Sequence, residues 1–431
     1  MLLRLSSAYS RLAIVLASFP LALTLSYLSI RQALASHAAE RDTLAGYERA
    51  VRLEPANPRN WYLLGHYWES NLENPDPQRA NSLLQKSLSL DPHSADAWLD
   101  LGSAYEELGE TAEARSAYLS AKKAYPASAT VAWRYGNFLL RRNELPAAFA
   151  EMHHAIEQDP KRGAEAFSRC WRVDPDVEAI LDKVIPPSKQ TYLAILRDLA
   201  GARELDPALA VWKRLVALHP SMSPQEIGAF ANALLQGGRY SDVQTVWQQA
   251  VSMMTNPPPP DPPGSVIWDG SFESGLAGDG LEWQFPRERH GVRADFDPSQ
   301  HHSGAQSLRL LFTGKENANY ADACHQAIVQ PGASYRLSAW VRTQALTSNE
   351  GIRLRLLYFD KTGFKTVETA DVRGSEPWTN LTLTWTAPPE SRSAQVCIAR
   401  RPGDAAEDNI QGSAWIDDVS LVPVAAETSK P

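Results

Sequence analysis

A spacing of 34 residues constrains the first half of this chain more than any other feature. Pro92, Pro126 and Pro160 are 34 residues apart, and so are Gly102 and Gly136. A fixed period of this length predicts a stack of similar supersecondary units, because each unit buries its apolar face only against its neighbours. Each proline prevents a helix from continuing past the end of a unit. We therefore expect an all-helical repeat array.

The segment 95–126, ADAWLDLGSAYEELGETAEARSAYLSAKKAYP, carries the complete repeat pattern. It combines aromatic and leucine positions with small residues that allow two helices to approach closely. The pattern resembles the tetratricopeptide repeat, a helix–turn–helix unit. The residues that carry the resemblance are Trp98, Leu101, Gly102, Tyr105, Ala114, Tyr118, Ala121 and Pro126.

Further copies of this pattern fit before and after the complete one. They fall at 60–92, 131–160, 192–220 and 227–251, which gives about five repeats, more than the three or so that a stacked core needs. We predict an all-α solenoid over residues 38–255, in which residues 161–188 are irregular helix. The resemblance implies a concave face that binds a protein partner.

Residues 12–30, LAIVLASFPLALTLSYLSI, form a run of 19 residues without a charge. As a helix this run would be about 28 Å long, close to the thickness of the hydrocarbon core of a membrane. Arg4 and Arg11 precede it. We predict a transmembrane signal-anchor helix, with residues 1–11 in the cytoplasm and the bulk of the chain on the periplasmic side. The alternatives are a cleaved signal peptide, with a small-residue site at 33–35, and a buried soluble helix.

Residues 256–264, NPPPPDPPG, contain six prolines. Proline fixes φ and donates no backbone hydrogen bond, so this stretch can join neither a helix nor a central strand. In the polyproline II conformation it would be a semi-rigid spacer of about 25 Å. We predict a linker that separates the helical array from a second domain and holds that domain away from the membrane.

Residues 265–423 have the pattern of an all-β domain. Short apolar segments alternate with turns rich in Gly, Asn, Asp and Pro, which predicts about eight or nine strands in a sandwich. The stretch SYRLSAWVR at 334–342 shows the alternation of apolar and polar side chains that is typical of a half-buried strand. Residues 424–431 are predicted to be a disordered tail.

The order of motifs in this domain is more specific than its periodicity. DGSFESG is followed by HHSGAQSLRL, VQPGASYRLSAWVR, EPWTNLTLTWTAP and AWIDDVSL. This order resembles the jelly-roll carbohydrate-binding modules of families four and nine, which belong to a wider galactose-binding-like superfamily. The resemblance implies that the domain binds a polysaccharide, although many members of the superfamily bind other ligands.

The same resemblance implies a structural calcium ion that ties the first strand to the last. The matching side chains are Glu273 and Asp417, with backbone oxygens near HHSG completing the shell. Hard oxygen ligands from separate segments suit Ca²⁺. The alternative is that both carboxylates accept hydrogen bonds from nearby backbone donors.

Sugar-binding residues are predicted from strand alternation alone. Trp340 shares the polar face of its strand with Arg336 and Arg342, and Tyr358 on a neighbouring strand is expected to join it. Two weaker candidates are Tyr320 and Trp385. For every one of these aromatics, packing in the core is the alternative.

Two of the three cysteines, Cys324 and Cys397, fall on predicted strands of this one domain. Outside the cytoplasm such a pair forms a disulfide that stabilises the fold. Two buried free thiols are the alternative.

The sequence also excludes several classes of function. A net charge of −8, without a basic run, argues against a nucleic-acid-binding protein. No catalytic domain remains once the repeats, linker and sandwich are assigned, and no GxSxG motif is present. We therefore predict a non-enzymatic, membrane-anchored envelope scaffold that acts in exopolysaccharide synthesis or export. The alternative is a pure assembly factor whose sandwich does not bind sugar.

Overall fold

The computed structural model describes residues 8–71, 73–255, 262–275, 278, 280–403 and 409–424. The chain divides into two compact units, Met1–Pro186 and Pro187–Pro431. The first unit is helical, and the second combines four helices with a β-sandwich. The predicted order of a helical array followed by an all-β domain is therefore confirmed.

The first unit consists of helices that follow one another through short turns. Their bounds are α1 (Ala8–Ala39), α2 (Leu44–Leu53), α3 (Pro58–Ser70), α4 (Pro77–Leu90), α5 (Ala95–Glu107), α6 (Thr111–Ala124), α7 (Ala129–Arg141), α8 (Leu145–Gln158), α9 (Gly163–Val173) and α10 (Val177–Lys183). A 3₁₀ turn at Pro160–Arg162 precedes α9. Residues 161–188, predicted as irregular helix, thus contain this turn and two short helices.

The repeat prolines act as expected on the helix ends. Helices α4, α6 and α8 each end two residues before Pro92, Pro126 and Pro160, respectively. The indole Nε1 of Trp98 donates a hydrogen bond of 2.9 Å to the carbonyl oxygen of Pro92. The signature aromatic thus anchors the start of one helix pair to the end of the preceding pair.

The signature glycines allow the two helices of a pair to approach closely. A Cβ at Gly102 would lie 2.9 Å from the ring of Tyr118, and one at Gly65 would lie 2.8 Å from Leu84. Tyr118 and Leu84 are buried. A larger side chain at either glycine would therefore push the two helices apart, as the repeat pattern predicts.

The apolar run at 12–30 lies within α1, the last turns of which pack on α2 through Ala35, Ala38 and Ala50. Within the described residues, no helix is long and apolar enough to cross a membrane. The prediction of a transmembrane helix at 12–30 is therefore not supported.

The described part of the second unit begins with four helices and continues with ten strands. The helices are α11 (Lys189–Ala202), α12 (Leu205–Ala217), α13 (Pro224–Gln236) and α14 (Tyr240–Ser252). The strands are β1 (Glu288–Arg289), β2 (Val292–Asp297), β3 (Ser307–Thr313), β4 (Tyr320–Ile328), β5 (Ser334–Gln344), β6 (Arg353–Asp360), β7 (Gly363–Glu368), β8 (Thr379–Thr386), β9 (Ser393–Arg400) and β10 (Gln411–Val424).

Two antiparallel sheets form the sandwich. The six-stranded sheet has the order β1-β2-β3-β10-β5-β8, and the four-stranded sheet has the order β4-β9-β6-β7. Buried side chains from both sheets, such as Leu337 on β5, Leu356 on β6 and Val396 on β9, form a single core. Strands β5 and β6 are consecutive in sequence but lie in different sheets, as a jelly-roll topology requires.

The last helical hairpin, α13–α14, packs directly against the sandwich. The rings of Trp247 on α14 and Trp268 are 5.5 Å apart in an edge-to-face arrangement. The backbone N of Gly280 donates a 3.0 Å hydrogen bond to Oδ1 of Asn232 on α13. Gly280 has φ of +68°, and a Cβ there would lie 2.6 Å from Trp247, so glycine is required for this close approach.

This contact differs from the separation that the proline-rich segment predicts. Residues 256–261 of that segment lie outside the described residues. The elements on its two sides nevertheless touch, because the apolar surface of Trp247 is buried against Trp268 rather than left in water.

Candidate functional site

Strand β5 has the alternation that the sequence predicts. Tyr335, Leu337 and Val341 point into the core and are buried. Arg336 is exposed on the opposite face, which Trp340 and Arg342 share as half-buried side chains. The three predicted residues of this strand therefore lie together on the outer face of the six-stranded sheet.

The ring of Trp340 is covered by a side chain of the same protein. His302 stacks on it with ring centroids 4.1 Å apart and an interplanar angle of 14°. Nδ1 of His302 lies 2.6 Å from Oδ2 of Asp418, and its ring also contacts Trp378 at 5.7 Å. A sugar ring would have to displace His302 in order to stack on Trp340.

The remaining predicted aromatics do not join this surface. Tyr358 lies on β6 of the other sheet, where its ring is 5.2 Å from Trp385. Trp385 pairs with Tyr335 in the register of β8 and β5, so it points into the core, and Tyr320 is buried as well. The expectation that Tyr358 joins Trp340 was wrong, because the chain changes sheets between β5 and β6.

Glu273 and Asp417 both bind the loop that carries HHSG. Oε1 of Glu273 accepts hydrogen bonds from the backbone N of Ala305 at 2.8 Å and of Gln306 at 3.2 Å. Oδ2 of Asp417 accepts from the backbone N of His302 at 2.7 Å and of Ser303 at 3.1 Å. The two carboxylates therefore fix this loop to the first and last segments of the sandwich.

The groups that Glu273 and Asp417 contact in this loop are not the groups that a calcium site requires. The loop presents N–H donors to both carboxylates, whereas a calcium shell needs carbonyl oxygens from it. Burial, together with the negative charge of Asp418, raises the pKa of Asp417 to about 6. The hydrogen bonds are those of the alternative without a metal, and calcium binding stays a prediction.

Cys324 and Cys397 form a disulfide in the structure. They lie directly opposite each other on β4 and β9, and their Cα atoms are 4.1 Å apart. The third cysteine, Cys170, is buried in α9, and burial raises the pKa of its thiol to about 12. Such a thiol stays protonated and unreactive at neutral pH.

A groove lies on the outer face of the four-stranded sheet, and of its lining residues the sequence analysis named only Tyr358. Gln326 of β4, Gln395 of β9 and Leu357 of β6 align in register across this face. They form part of the lining of a cavity of about 380 Å³. The floor of the groove thus offers two amide side chains beside an apolar one.

Two exposed phenylalanines form one side of this groove. Phe359 and Phe364 are paired across the β6–β7 hairpin with ring centroids 5.5 Å apart. Phe364 is 75% exposed and Phe359 is 46% exposed. In the turn, the backbone N of Thr362 donates to Oδ1 of Asp360 at 2.7 Å, which fixes the hairpin that presents the pair. The segment FDKTGF was the available signal, since a tight turn places both phenylalanines on one face.

Tyr240, the first residue of α14, and the loop before β9 also line the groove. Ser391 in this loop is buried, and its hydroxyl donates to the carbonyl oxygen of Phe359. Arg392, beside it, is exposed. The groove therefore combines aromatic faces, amides and a guanidinium group around one depression.

In the first unit, a polar network links three successive first helices of the repeats. Asp100 on α5 is hydrogen-bonded to Nδ1 of His66 on α3 at 2.8 Å and to Nη1 of Arg134 on α7 at 2.6 Å. Burial alone would raise the pKa of Asp100, but the bond with His66 and the charge of Arg134 outweigh it and hold the pKa below its usual range.

Among the described residues, one group has the side chains to hold a metal ion, namely His66, Glu69 and Asp100. Arg134 already supplies a positive charge to this group, because it bonds Asp100 and lies 3.9 Å from Glu69. The network joins the helices through side chains of opposite charge, and we assign no metal to it.

Comparison with known proteins gives two family matches. Residues 71–134 match the family described as tetratricopeptide repeat, and residues 264–403 match the family described as carbohydrate binding domain. Both resemblances drawn from the sequence are confirmed by these matches. The two families are not catalytic families, which is consistent with a non-enzymatic protein.

Individual relatives are distant. Tetratricopeptide repeat protein 37 of Xenopus laevis is 27% identical over 186 residues, which are 42% of this chain and only 11% of that protein. A family 16 carbohydrate-binding module has 18% identity, covers 36% of this chain and 99% of that one, and gives a TM-score of 0.26. The pilF protein of Pseudomonas aeruginosa has 19% identity, covers 46% and 92%, and gives a TM-score of 0.27.

Proposed function

We propose that this chain, which carries tetratricopeptide repeats followed by a carbohydrate-binding domain, is a non-catalytic scaffold that binds a polysaccharide through the groove of its four-stranded sheet. The repeats would bind a protein partner, so that the protein would bring this partner to the glycan. The family matches at 71–134 and 264–403 support the two halves of the proposal.

The exposed pair of Phe359 and Phe364 is the observation that supports the sugar half most strongly. Sugar rings have apolar C–H faces that pack on aromatic rings, while their hydroxyl groups need hydrogen-bond partners. Gln326 and Gln395 offer amide donors and acceptors in the floor of the same cavity. Leaving Phe364 in water is unfavourable for a hydrophobic residue of its size, and a ligand that covers it removes this cost.

The Phe364→Ala variant is expected to bind polysaccharide about tenfold more weakly, which corresponds to about 1.4 kcal/mol. Phe364 is largely exposed, so its truncation should leave the fold intact. Affinity electrophoresis of the full chain in gels containing xylan, mixed-linkage β-glucan or a bacterial exopolysaccharide measures the effect.

Trp340→Ala is the matched control, because it removes an aromatic ring from the other sheet. We expect this variant to keep wild-type retardation, since His302 already covers the ring. Loss of binding in Trp340→Ala with no change in Phe364→Ala would move the sugar site to the six-stranded sheet. A wild-type chain that is retarded by no polysaccharide, with or without calcium, would favour the alternative of a pure assembly factor.

A further inference from the structure

We infer that Tyr240 of the last helical hairpin is a specificity-determining residue of the polysaccharide groove, so that the site is completed by a helix from outside the sandwich. This inference rests on the proposed function. It assigns part of the lining of the groove to α14, in addition to the part that comes from the β6–β7 hairpin.

The lining of the groove carries the inference. Tyr240 lines the same cavity of about 380 Å³ as Phe359, Phe364, Gln326 and Gln395. Its side chain is half-buried, at the first position of α14. A volume near the lower end of the range for small-ligand sites holds a short stretch of a sugar chain rather than a bulky branch. A phenol ring in this lining adds a second aromatic face and a hydroxyl group that can donate or accept a hydrogen bond.

The start of α14 contacts the neighbouring helix α12. The guanidinium of Arg239, the residue before Tyr240, donates to Oδ1 of Asp206 at 2.7 Å and to Oδ2 of Asp242 at 2.5 Å. The bond to Asp206 connects the beginning of α14 to the beginning of α12, and the bond to Asp242 lies within the first turn of α14. The first turn of α14 is therefore linked to α12 before any ligand binds.

The middle of α14 packs against the sandwich. Trp247 lies two turns after Tyr240 and packs against Trp268, while Gly280 allows the backbone of the sandwich to approach the ring of Trp247. Ala231 of α13 lies 3.1 Å from the position that a Cβ on Gly280 would occupy. Because these contacts position the helix, Tyr240 is a preformed part of the lining of the groove, and ligand binding does not have to order it.

The test uses the full chain and the polysaccharide panel given above. Tyr240→Ala is expected to weaken binding about tenfold and to change the order of preference within the panel. Tyr240→Phe keeps the aromatic ring. Its affinity is expected to stay within about twofold of the wild-type affinity for polysaccharides that only stack on this ring. Tyr125→Ala, an exposed tyrosine in the first unit, is the matched control and should bind like wild type.

The outcomes separate this inference from the proposed function. Loss of binding in Phe364→Ala but not in Tyr240→Ala would overturn the role of Tyr240 and leave the proposed function standing. No binding by the wild type would overturn both. If Tyr240→Ala loses helical circular dichroism, Tyr240→Leu replaces it, since leucine fills much of the same space without an aromatic face. The same tenfold loss is expected for that variant, and wild-type affinity would count against the inference.

Discussion

Replacing both Cys324 and Cys397 with alanine is expected to lower the free energy of unfolding of the sandwich by about 4 kcal/mol. The disulfide closes a loop between residues 73 positions apart, and the unfolded chain gains the entropy of that loop when the bond is removed. The bond joins the edge strand β4 to its neighbour β9 in the four-stranded sheet. Hydrogen exchange of peptides from these two strands measures the loss.

Reductant provides the control for this result. Dithiothreitol should lower the protection of β4 and β9 in the wild type by a similar amount and should not change it in the double variant. Cys170→Ala should leave these strands unaffected, because Cys170 lies in α9 of the other compact unit. Equal protection with and without reductant in the wild type would contradict the expected contribution of the disulfide.

Asp417→Ala is expected to destabilise the sandwich by about 3 kcal/mol, because it leaves three backbone donors without their acceptor. These donors are the N–H groups of His302, Ser303 and Asp418. Chemical denaturation at pH 7 measures the loss. Asp418→Asn is the control, because asparagine tolerates the positive φ of 49° at this position. It changes only the side-chain contacts of Asp418 with His302 and Ser303 and keeps the backbone bonds to Asp417, so a smaller loss is expected.

The raised pKa of Asp417 also predicts how stability depends on pH. The folded protein holds this proton up to a pH of about 6, whereas the unfolded chain releases it near the ordinary aspartate pKa of 3.8. Unfolding therefore releases a proton from Asp417 between these values, and the contribution of Asp417 to the stability of the wild type falls as the pH rises from about 4 to 6. The fall should be on the order of 2 kcal/mol and absent from Asp417→Ala.

Calcium would reverse this trend if the prediction for Glu273 and Asp417 holds. A cation favours the charged form of both carboxylates, so added calcium should raise the thermal midpoint of the wild type at pH 7. Glu273→Gln and Asp417→Ala should each abolish the shift. An unchanged midpoint in the wild type at millimolar calcium would mean that the hydrogen bonds to the loop at 302–306 are the whole role of the two side chains.

The helical repeats could be predicted from sequence because their signature is local. Gly102 and Tyr118 belong to one helix pair, and the proline that ends the pair is part of the same 34-residue pattern. Because the residues in contact within one repeat are only a few tens of positions apart, they recur at a regular spacing in the sequence. Strand alternation is local as well, and it placed Arg336, Trp340 and Arg342 on one face of β5.

The groove could not be predicted in the same way, because its parts come together only through the topology of the sheets. Alternation gives the face of a strand but not the sheet to which the strand belongs, which is why Tyr358 was expected beside Trp340. Gln326, Gln395 and Phe364 become neighbours only when β4, β9, β6 and β7 pair in that order. Tyr240 is even farther away in sequence from the other groove residues, since it comes from a helix that the sequence assigns to the repeats.

The packing of Trp247 on Trp268 has a consequence for proteolysis. A single cut between residues 255 and 262 would sever the chain but would leave this pair of rings and the bond between Asn232 and Gly280 intact. The two fragments should therefore elute together in gel filtration and separate only in denaturant. A nicked protein would keep both Tyr240 and Phe364 in the lining of its groove.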